Sequence, residues 1–143
     1  MTLNPIDPAH GEEWEVVDFV FLKNGRPRGD GDTVTMWRTG IKRLGDKRFR
    51  VTDEDPQGAR LVWVDTPEKT DPGYAQADLD LDTWILERLR AGRTLRAICY
   101  DGGAGWDRLL VDLVDDAGES ASEYLMRPKE LGGCGWPMYE GKG

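Results

Sequence analysis

The sequence predicts a small α+β protein, mainly β: an antiparallel barrel with two helices packed on it. Two observations predict it. Short apolar and β-branched runs recur between Gly, Pro and Asn turn signals, which is typical of strands. The order of elements is several strands, a helix, two strands and a short helix. A chain of 143 residues suits one domain that buries a real core.

The strands are predicted from apolar runs and from period-two alternation. Residues 14–22, WEVVDFVFL, form the first run, and Asn24-Gly25 ends it. Residues 38–58 are polar, turn-rich and basic, so we interpret them as an insertion containing one short strand. Residues 1–13 have no periodicity and are predicted to be a flexible arm, leaving 14–143 as a single domain. The predicted strands are 14–22, 32–37, 48–52, 59–64, 94–100 and 108–114.

Two helices are predicted from spacing and capping signals. Apolar residues follow helical spacing along 79–92, with either Asp78 or Asp80 as the N-cap and Gly92 at the end. The residues that share this apolar face are Leu81, Trp84, Ile85 and Leu89. A second, short helix is predicted over 120–127. Ser120 or Ser122 caps it, and Pro128 stops it.

Composition limits the classes of function. No apolar run is long enough to cross a bilayer and the N-terminus has no signal-peptide pattern, so we expect a cytoplasmic protein. The only histidine, His10, lies in the predicted arm, which argues against histidine-centred catalysis. Cys99 is predicted to be a buried thiol and Cys134 a loop thiol; the pair allows one disulfide without requiring it. The net charge of -8 argues against simple polyanion binding.

Three segments carry residues suited to phosphodiester hydrolysis. GDGDTV at 29–34 places Asp30 and Asp32 where a strand begins, although a Gly/Asp turn is also common. Residues 60–68, RLVWVDTPE, end an apolar run in two carboxylates and a hydroxyl. Arg108 stands where a glycine-rich stretch enters a strand. Hard oxygen ligands suit calcium or magnesium, a carboxylate can activate water, and two guanidinium groups can stabilise a phosphate.

The sequence resembles the staphylococcal nuclease (thermonuclease) family in these same segments. DGDTV, then RLVWVDTPE, then an Asp-Arg pair followed by a β-run occur in the family's order, and the resemblance covers about residues 14 to 139. A helix opening near Tyr74 and the short helix after DDAGES also fall where the family has helices. It implies a five-stranded OB-type barrel and a calcium-dependent nuclease that cuts DNA and RNA with low sequence specificity. The family's C-terminal helix is not expected, because only four residues follow Tyr139.

The resemblance also implies roles for individual residues. Asp32 and Asp65 would bind calcium through carboxylates, and Thr66 through its carbonyl. Glu68 would be the general base or would position water. The residues that would bind the scissile phosphate are Arg60 and Arg108.

Substrate binding is where the sequence departs from the family. The stretch before Arg108 is GGAGWD, where the family usually has lysine and tyrosine. Tyr139 or Trp136 could replace a tyrosine of the family's nucleotide pocket. The longer stretch between Asp32 and Arg60 adds basic residues, among them Lys42, Arg43 and Lys47. They form either a solvated hairpin or a nucleic-acid contact.

We expect DNA and RNA as partners, with single strands preferred, no membrane, and a monomer. Two rival hypotheses remain open at this point. An OB-type barrel can bind nucleic acid without cutting it, and the segment CGWPMY at 134–139 could serve a structural or partner-binding protein.

Overall fold

The barrel is a single sheet that closes on itself. The computed structural model describes residues 12–44, 46–100 and 109–138. Its strands are β1 (Glu12–Phe19), β2 (Gly29–Asp30), β3 (Thr33–Leu44), β4 (Lys47–Thr52), β5 (Gln57–Leu61), β6 (Leu95–Tyr100) and β7 (Leu109–Asp115). Five of them close the ring in the order β1-β6-β7-β5-β3, with β3 pairing back to β1. The predicted mainly β, OB-type α+β fold with two helices is confirmed.

The helices are α1 (Tyr74–Arg90) and α2 (Ala121–Met126), and a short 3-10 helix covers Lys129–Leu131. One apolar cluster joins the strands to both helices. Its fully buried side chains include Val34, Met36, Leu61, Val111 and Leu113 from the strands, and Leu81, Trp84, Ile85 and Leu125 from the helices. Burying a side chain of this size contributes about 1.5–3 kcal/mol each, so this cluster is the main source of stability.

The second helix begins where the sequence predicts it. Ser120 is its N-cap, and the Ser120 hydroxyl accepts a hydrogen bond from the Glu123 N–H at 3.1 Å. The buried Asp112 of β7 accepts hydrogen bonds from the Ser120 hydroxyl and the Ser122 N–H, the latter at 3.1 Å. Burial raises the pKa of Asp112, and these hydrogen bonds oppose that rise. Asp112 therefore fixes α2 to the barrel wall.

Two element boundaries differ from the sequence prediction. The first helix begins at Tyr74, as the family resemblance implies, rather than beside Asp78 or Asp80 as the capping signals predict, and its N-cap is Gly73, with φ 88° and no capping side chain. Without a Ser, Thr, Asp or Asn at this position, the sequence offers no strong start signal. Its end agrees, since Gly92 follows the C-cap with φ 74°.

The polar stretch after residue 37 also folds differently from the prediction. The third strand continues to Leu44 and pairs with β4 over six registers, from Thr39 opposite Thr52 to Leu44 opposite Lys47. The last residues of this strand, from 38 to 44, belong to the predicted insertion. A hairpin exposed to solvent needs no apolar alternation, so no strand pattern marks these residues.

The cysteines agree with their predicted settings. Cys99 is buried in β6, Cys134 is half-buried in a loop, and no disulfide joins them. The guanidinium of Arg38 donates to the Cys99 sulfur at 3.3 Å and stacks over Trp14, so this thiol belongs to a packed structural group. No helix in the described part of the chain is long and apolar enough to cross a membrane.

Candidate functional site

The first two predicted segments meet where β3 begins beside the end of β5. Thr33 pairs with Arg60 in the sheet, and the Leu61 N–H donates to the Asp32 carbonyl at 2.7 Å. This register brings the Asp32 and Arg60 side chains together, with 3.3 Å between Oδ2 and Nη2. The same guanidinium donates to the carbonyls of Leu61 and Val64, at 3.2 and 3.4 Å. A buried arginine needs such partners, because an unpaired charge inside a protein is costly.

Asp32 has an unusual protonation equilibrium. Burial raises its pKa to about 6; Arg60 opposes the rise, and the neighbouring Asp30 adds to it by charge and by a hydrogen bond. A hydrogen bond with Thr66 favours the ionised form. The site therefore holds two neighbouring carboxylates, a guanidinium and a hydroxyl from three separate chain segments.

Asp30, which has no role in the predicted site, lies beside Asp32 and stabilises the turn that begins β3. Its N–H donates to the Thr33 hydroxyl at 3.0 Å, and its carboxylate accepts from the same hydroxyl at 2.5 Å. The signal was present in the Asp-Gly-Asp spacing, which turns two carboxylates toward one another across a tight loop.

Gly31 separates these two aspartates, and its lack of a side chain lets the turn approach α1. A Cβ at this position would lie 2.8 Å from the Ala77 Cβ and 3.0 Å from the Thr66 hydroxyl oxygen. Both contacts are too close for a methyl group. The glycine thus allows β3, α1 and the Thr66 loop to converge at the site.

A strained turn carries the chain from β5 into the second predicted segment. Trp63 has φ 68°, the only positive value among the described non-glycine residues, and the Val64 N–H donates to the Val62 carbonyl at 2.8 Å. This is a γ-turn with positive φ, a rare and strained conformation. The predicted strand 59–64 is therefore wrong at both ends: β5 covers Gln57–Leu61. The turn redirects the chain while Val62 and Val64 both stay buried.

The loop that follows is held from the other side by residues 137 and 138. The Asp65 N–H donates to the Pro137 carbonyl at 2.8 Å, and Val64 forms an isolated bridge with Met138. The Asp65 side chain is exposed, whereas Thr66 is buried. The exposed Asp65 carboxylate can therefore reach a ligand, whereas the buried Thr66 side chain is held against the barrel.

Glu68 projects into solvent from the same loop. Its N–H donates to the Asp71 carboxylate at 3.2 Å, and its carbonyl accepts from the Asp71 N–H at 2.9 Å. Asp71 therefore shapes the turn, while the hydrogen bonds that Glu68 makes within the described residues use its backbone. This leaves the Glu68 carboxylate available to water.

Trp136 is half-buried and fixed at its polar end. Its indole N–H donates to Asp80 of α1 at 2.8 Å, and its ring borders a cleft of about 380 Å³. A Cβ built on Gly73 would lie 3.4 Å from both the Trp136 ring and Pro67. The tryptophan thus packs beside the start of α1 and the Asp65–Glu68 loop. Its role in binding a base stays a prediction.

The remaining predicted residues lie apart from this group or outside the described residues. Arg108 and Tyr139 are outside the described ranges. The backbones of Lys42 and Arg43 lie in β3 and that of Lys47 begins β4, with the Lys47 side chain exposed. Nine residues of strand, about 30 Å when extended, separate Lys42 from Thr33.

The oxygen donors suit a hard divalent cation. Carboxylates and a main-chain carbonyl are the ligands that calcium takes, and a bound cation would oppose the rise in pKa that burial causes at Asp32. Within residues 12–44, 46–100 and 109–138, no three Asp, Glu, His or Cys side chains are grouped as a metal site. The residues predicted to bind calcium fit such a cation only if carbonyl or water oxygens complete its coordination.

Comparison of the chain with protein-family models and with curated proteins finds no match.

Proposed function

We propose that this protein is a calcium-dependent nuclease that hydrolyses phosphodiester bonds of DNA and RNA with low sequence specificity. The observation that supports this most is the meeting of Asp32, Arg60 and Thr66. Asp32 comes from the first candidate segment and Arg60 and Thr66 from the second, and the family resemblance implies a role for each in binding the cation or the phosphate. A buried arginine beside a carboxylate with a raised pKa is typical of functional sites.

In this proposal, calcium would be held by the carboxylates of Asp32 and Asp65 and the carbonyl of Thr66. When bound, it would neutralise negative charge on the phosphate and polarise the phosphorus centre. The protein contributes the fixed positions of these oxygens. The γ-turn at Trp63 and the Asp65–Pro137 hydrogen bond set the loop, and the β3–β5 register sets Asp32.

The other side chains act on the phosphate and on water. Arg60, and Arg108 with it, would donate paired hydrogen bonds to the non-bridging phosphate oxygens and stabilise the charge that develops there. Glu68 would position the attacking water and accept its proton. The water oxygen then bonds to phosphorus as the bond to the leaving ester oxygen breaks, and that oxygen takes a proton from solvent.

A non-catalytic nucleic-acid-binding module is the second candidate. It is favoured by the exposed basic side chains of β4, which lie far along the sheet from Asp32. Such a module would need neither Glu68 nor a cation. The two functions are therefore separable by a cleavage assay.

The test is digestion of single-stranded DNA and of RNA with calcium, with magnesium and with chelator. We expect cleavage by the parent protein with calcium and none with chelator. Glu68→Gln keeps the side-chain shape but cannot accept a proton, so its rate should fall by orders of magnitude. The matched control is Glu54→Gln, another exposed glutamate, which should cleave at the parent's rate. A parent that cleaves with no divalent cation, or a Glu68→Gln variant as active as its control, contradicts the proposal.

A further inference from the structure

The β3–β4 hairpin extends beyond the closed barrel. Beyond Thr39, the register of β3 continues with β4 alone, and among the described strands β4 is hydrogen-bonded only to β3. We name residues 40–44 and 46–51 the hairpin arm. Four consecutive side chains of β4 in this arm, Lys47 to Arg50, are exposed.

The charge of the hairpin arm is opposite to that of the rest of the protein. It carries five of the 19 lysine and arginine residues and one of the 27 aspartate and glutamate residues. The remaining chain is left with 14 basic and 26 acidic residues. A local positive field on an acidic protein directs a polyanion to one place, because the surrounding surface repels it.

Among the residues that the structure describes, no ion pair includes a basic side chain of β4. Seven arginines of the described residues form ion pairs: Arg26, Arg38, Arg60, Arg88, Arg93, Arg96 and Arg127. None of these pairs includes Lys47, Arg48 or Arg50. The backbone register pairs position 48 with position 43, within the β3–β4 ladder. Exposed cations outside the ion pairs of the described residues are suited to an anionic partner.

Phe49 adds an aromatic surface to this arm. It is 46% exposed, and because successive side chains of a strand alternate, it lies on the same face as Lys47 and on the face opposite Arg48 and Arg50. The arm therefore presents cations on both faces and the ring on one. Cations that follow a phosphate backbone and an exposed ring on which a base can stack are the two parts of single-strand recognition. A second copy of the chain is a poor occupant for the β4 edge, since pairing two such edges would bring their positive charges together.

We infer that the hairpin arm is a single-stranded nucleic-acid-binding surface separate from the candidate cleavage site, with Arg48, Phe49 and Arg50 as its main contacts. The inference rests on the proposed nuclease function for the identity of its substrate. About 30 Å of strand lies between Thr33, beside Asp32, and Lys42. At about 3.4 Å per stacked nucleotide, one strand would need about nine nucleotides to reach both places. Long strands are therefore the preferred substrates.

The binding test uses a labelled 30-nucleotide oligothymidylate in chelator, so that cleavage does not interfere. Fluorescence anisotropy would compare the parent, Arg48→Ala/Arg50→Ala, and the control Lys23→Ala/Arg90→Ala, which removes two exposed cations elsewhere. We expect the arm variant to lower the slope of log affinity against log salt by about 1.4. A fourfold rise in salt concentration should then lower the affinity of the parent about sevenfold more than it lowers the affinity of the arm variant. The control should retain the parent's slope.

Two further measurements make the result specific. Arg48→Lys/Arg50→Lys keeps both charges, so it should retain the salt slope and show that the alanine variant has not merely disturbed the hairpin. With calcium, a small substrate, bis(p-nitrophenyl) phosphate, should be hydrolysed equally by the parent and the arm variant. The 30-mer should be cleaved less efficiently by the arm variant.

An equal salt slope for the arm variant and its control would overturn the inference, as would a dimer of the parent that Arg48→Ala/Arg50→Ala dissociates. If no substrate is cleaved, the nuclease proposal fails while the anisotropy result still decides whether the arm binds.

Discussion

Arg60 and Asp32 form an ion pair, Nη2 to Oδ2 at 3.3 Å, where the last residues of β5 lie beside the turn that begins β3. Both side chains are largely buried, the arginine 9% and the aspartate 16% exposed. In the proposed nuclease, one member binds the cation and the other binds the phosphate. Their direct contact means that calcium and substrate would each change the partners of this pair.

Calcium binding is the first consequence. Calcium should bind the parent and stabilise it by about 2.7 kcal/mol at a hundred times its dissociation constant. Asp32→Ala removes a predicted ligand and should abolish the binding heat measured by titration calorimetry. Asp55→Ala, which removes an exposed carboxylate elsewhere, is the matched control and should bind as the parent does. The absence of binding heat for the parent, or equal binding by Asp32→Ala, would contradict the prediction.

The raised pKa of Asp32 predicts a pH dependence of stability in chelator. Burial raises this pKa to about 6 from an ordinary value of 3.8, so the folded state binds the proton more tightly than the unfolded state does. The stabilisation is complete below pH 3.8 and is lost as pH rises through 6. Relative to Asp32→Asn, which cannot ionise, the parent should lose roughly 2 kcal/mol between pH 4 and pH 7.

Urea unfolding at unit pH intervals would measure this difference. The pKa values of Asp78, Asp82 and Asp112 are also raised, but those residues are present in both proteins, and their effects should largely cancel. A constant difference between parent and variant across this range would show that Asp32 titrates normally.

The γ-turn at Trp63 predicts that glycine at this position is more stable than alanine, the reverse of the order at an ordinary strand position. Trp63→Ala and Trp63→Gly both remove the ring that packs against Tyr100, with 5.6 Å between ring centroids. Glycine adopts positive φ without strain, whereas alanine pays about 1–2 kcal/mol there. Trp63→Gly should therefore be about 1 kcal/mol more stable to urea than Trp63→Ala. An ordinary strand position would give the opposite order.

Gly40 is predicted to be intolerant of a side chain. A Cβ there would lie 2.4 Å from the Trp14 ring, which also stacks on Arg38. Gly40→Ala should lower the free energy of unfolding by about 1–3 kcal/mol because a packed ring must move. Gly58 in β5 has nothing within 4 Å of such an atom, so Gly58→Ala should stay within about 0.5 kcal/mol of the parent. Equal effects of the two substitutions in thermal or urea unfolding would be inconsistent with this packing.

Apolar periodicity and capping chemistry made much of the fold predictable. The buried face of α1, the Ser120 cap and the apolar strands each leave a local signal, because burial selects the residue types. The contact between Asp32 and Arg60 could not be predicted in this way, because the β3–β5 register is a long-range pairing; residue chemistry only grouped the two residues in one candidate site.

Three features could not be predicted for identifiable reasons. The outer half of the hairpin is exposed, so no apolar alternation marks it. Gly73 caps α1 without a capping side chain. Trp63 occupies a conformation that a bulky residue rarely adopts, so its position in an apolar run indicated a continuing strand. For the outer hairpin and for the start of α1, the usual sequence signal is missing. At Trp63, tertiary packing overrides the local conformational preference.

In the proposed nuclease, Arg60 stabilises the transition state of phosphodiester cleavage. Single-turnover cleavage of a single-stranded DNA with calcium tests it most directly, comparing the parent, Arg60→Lys and the control Arg90→Lys, with DNA affinity measured in parallel. Lysine keeps the charge but loses the planar pair of donors, which should cost about 3 kcal/mol, a rate loss of about a hundredfold or more. Affinity should change only a few-fold, since the extra charge develops in the transition state. An Arg60→Lys rate within a few-fold of the parent and of Arg90→Lys, or a parent that cuts neither DNA nor RNA with any divalent cation, would contradict the account.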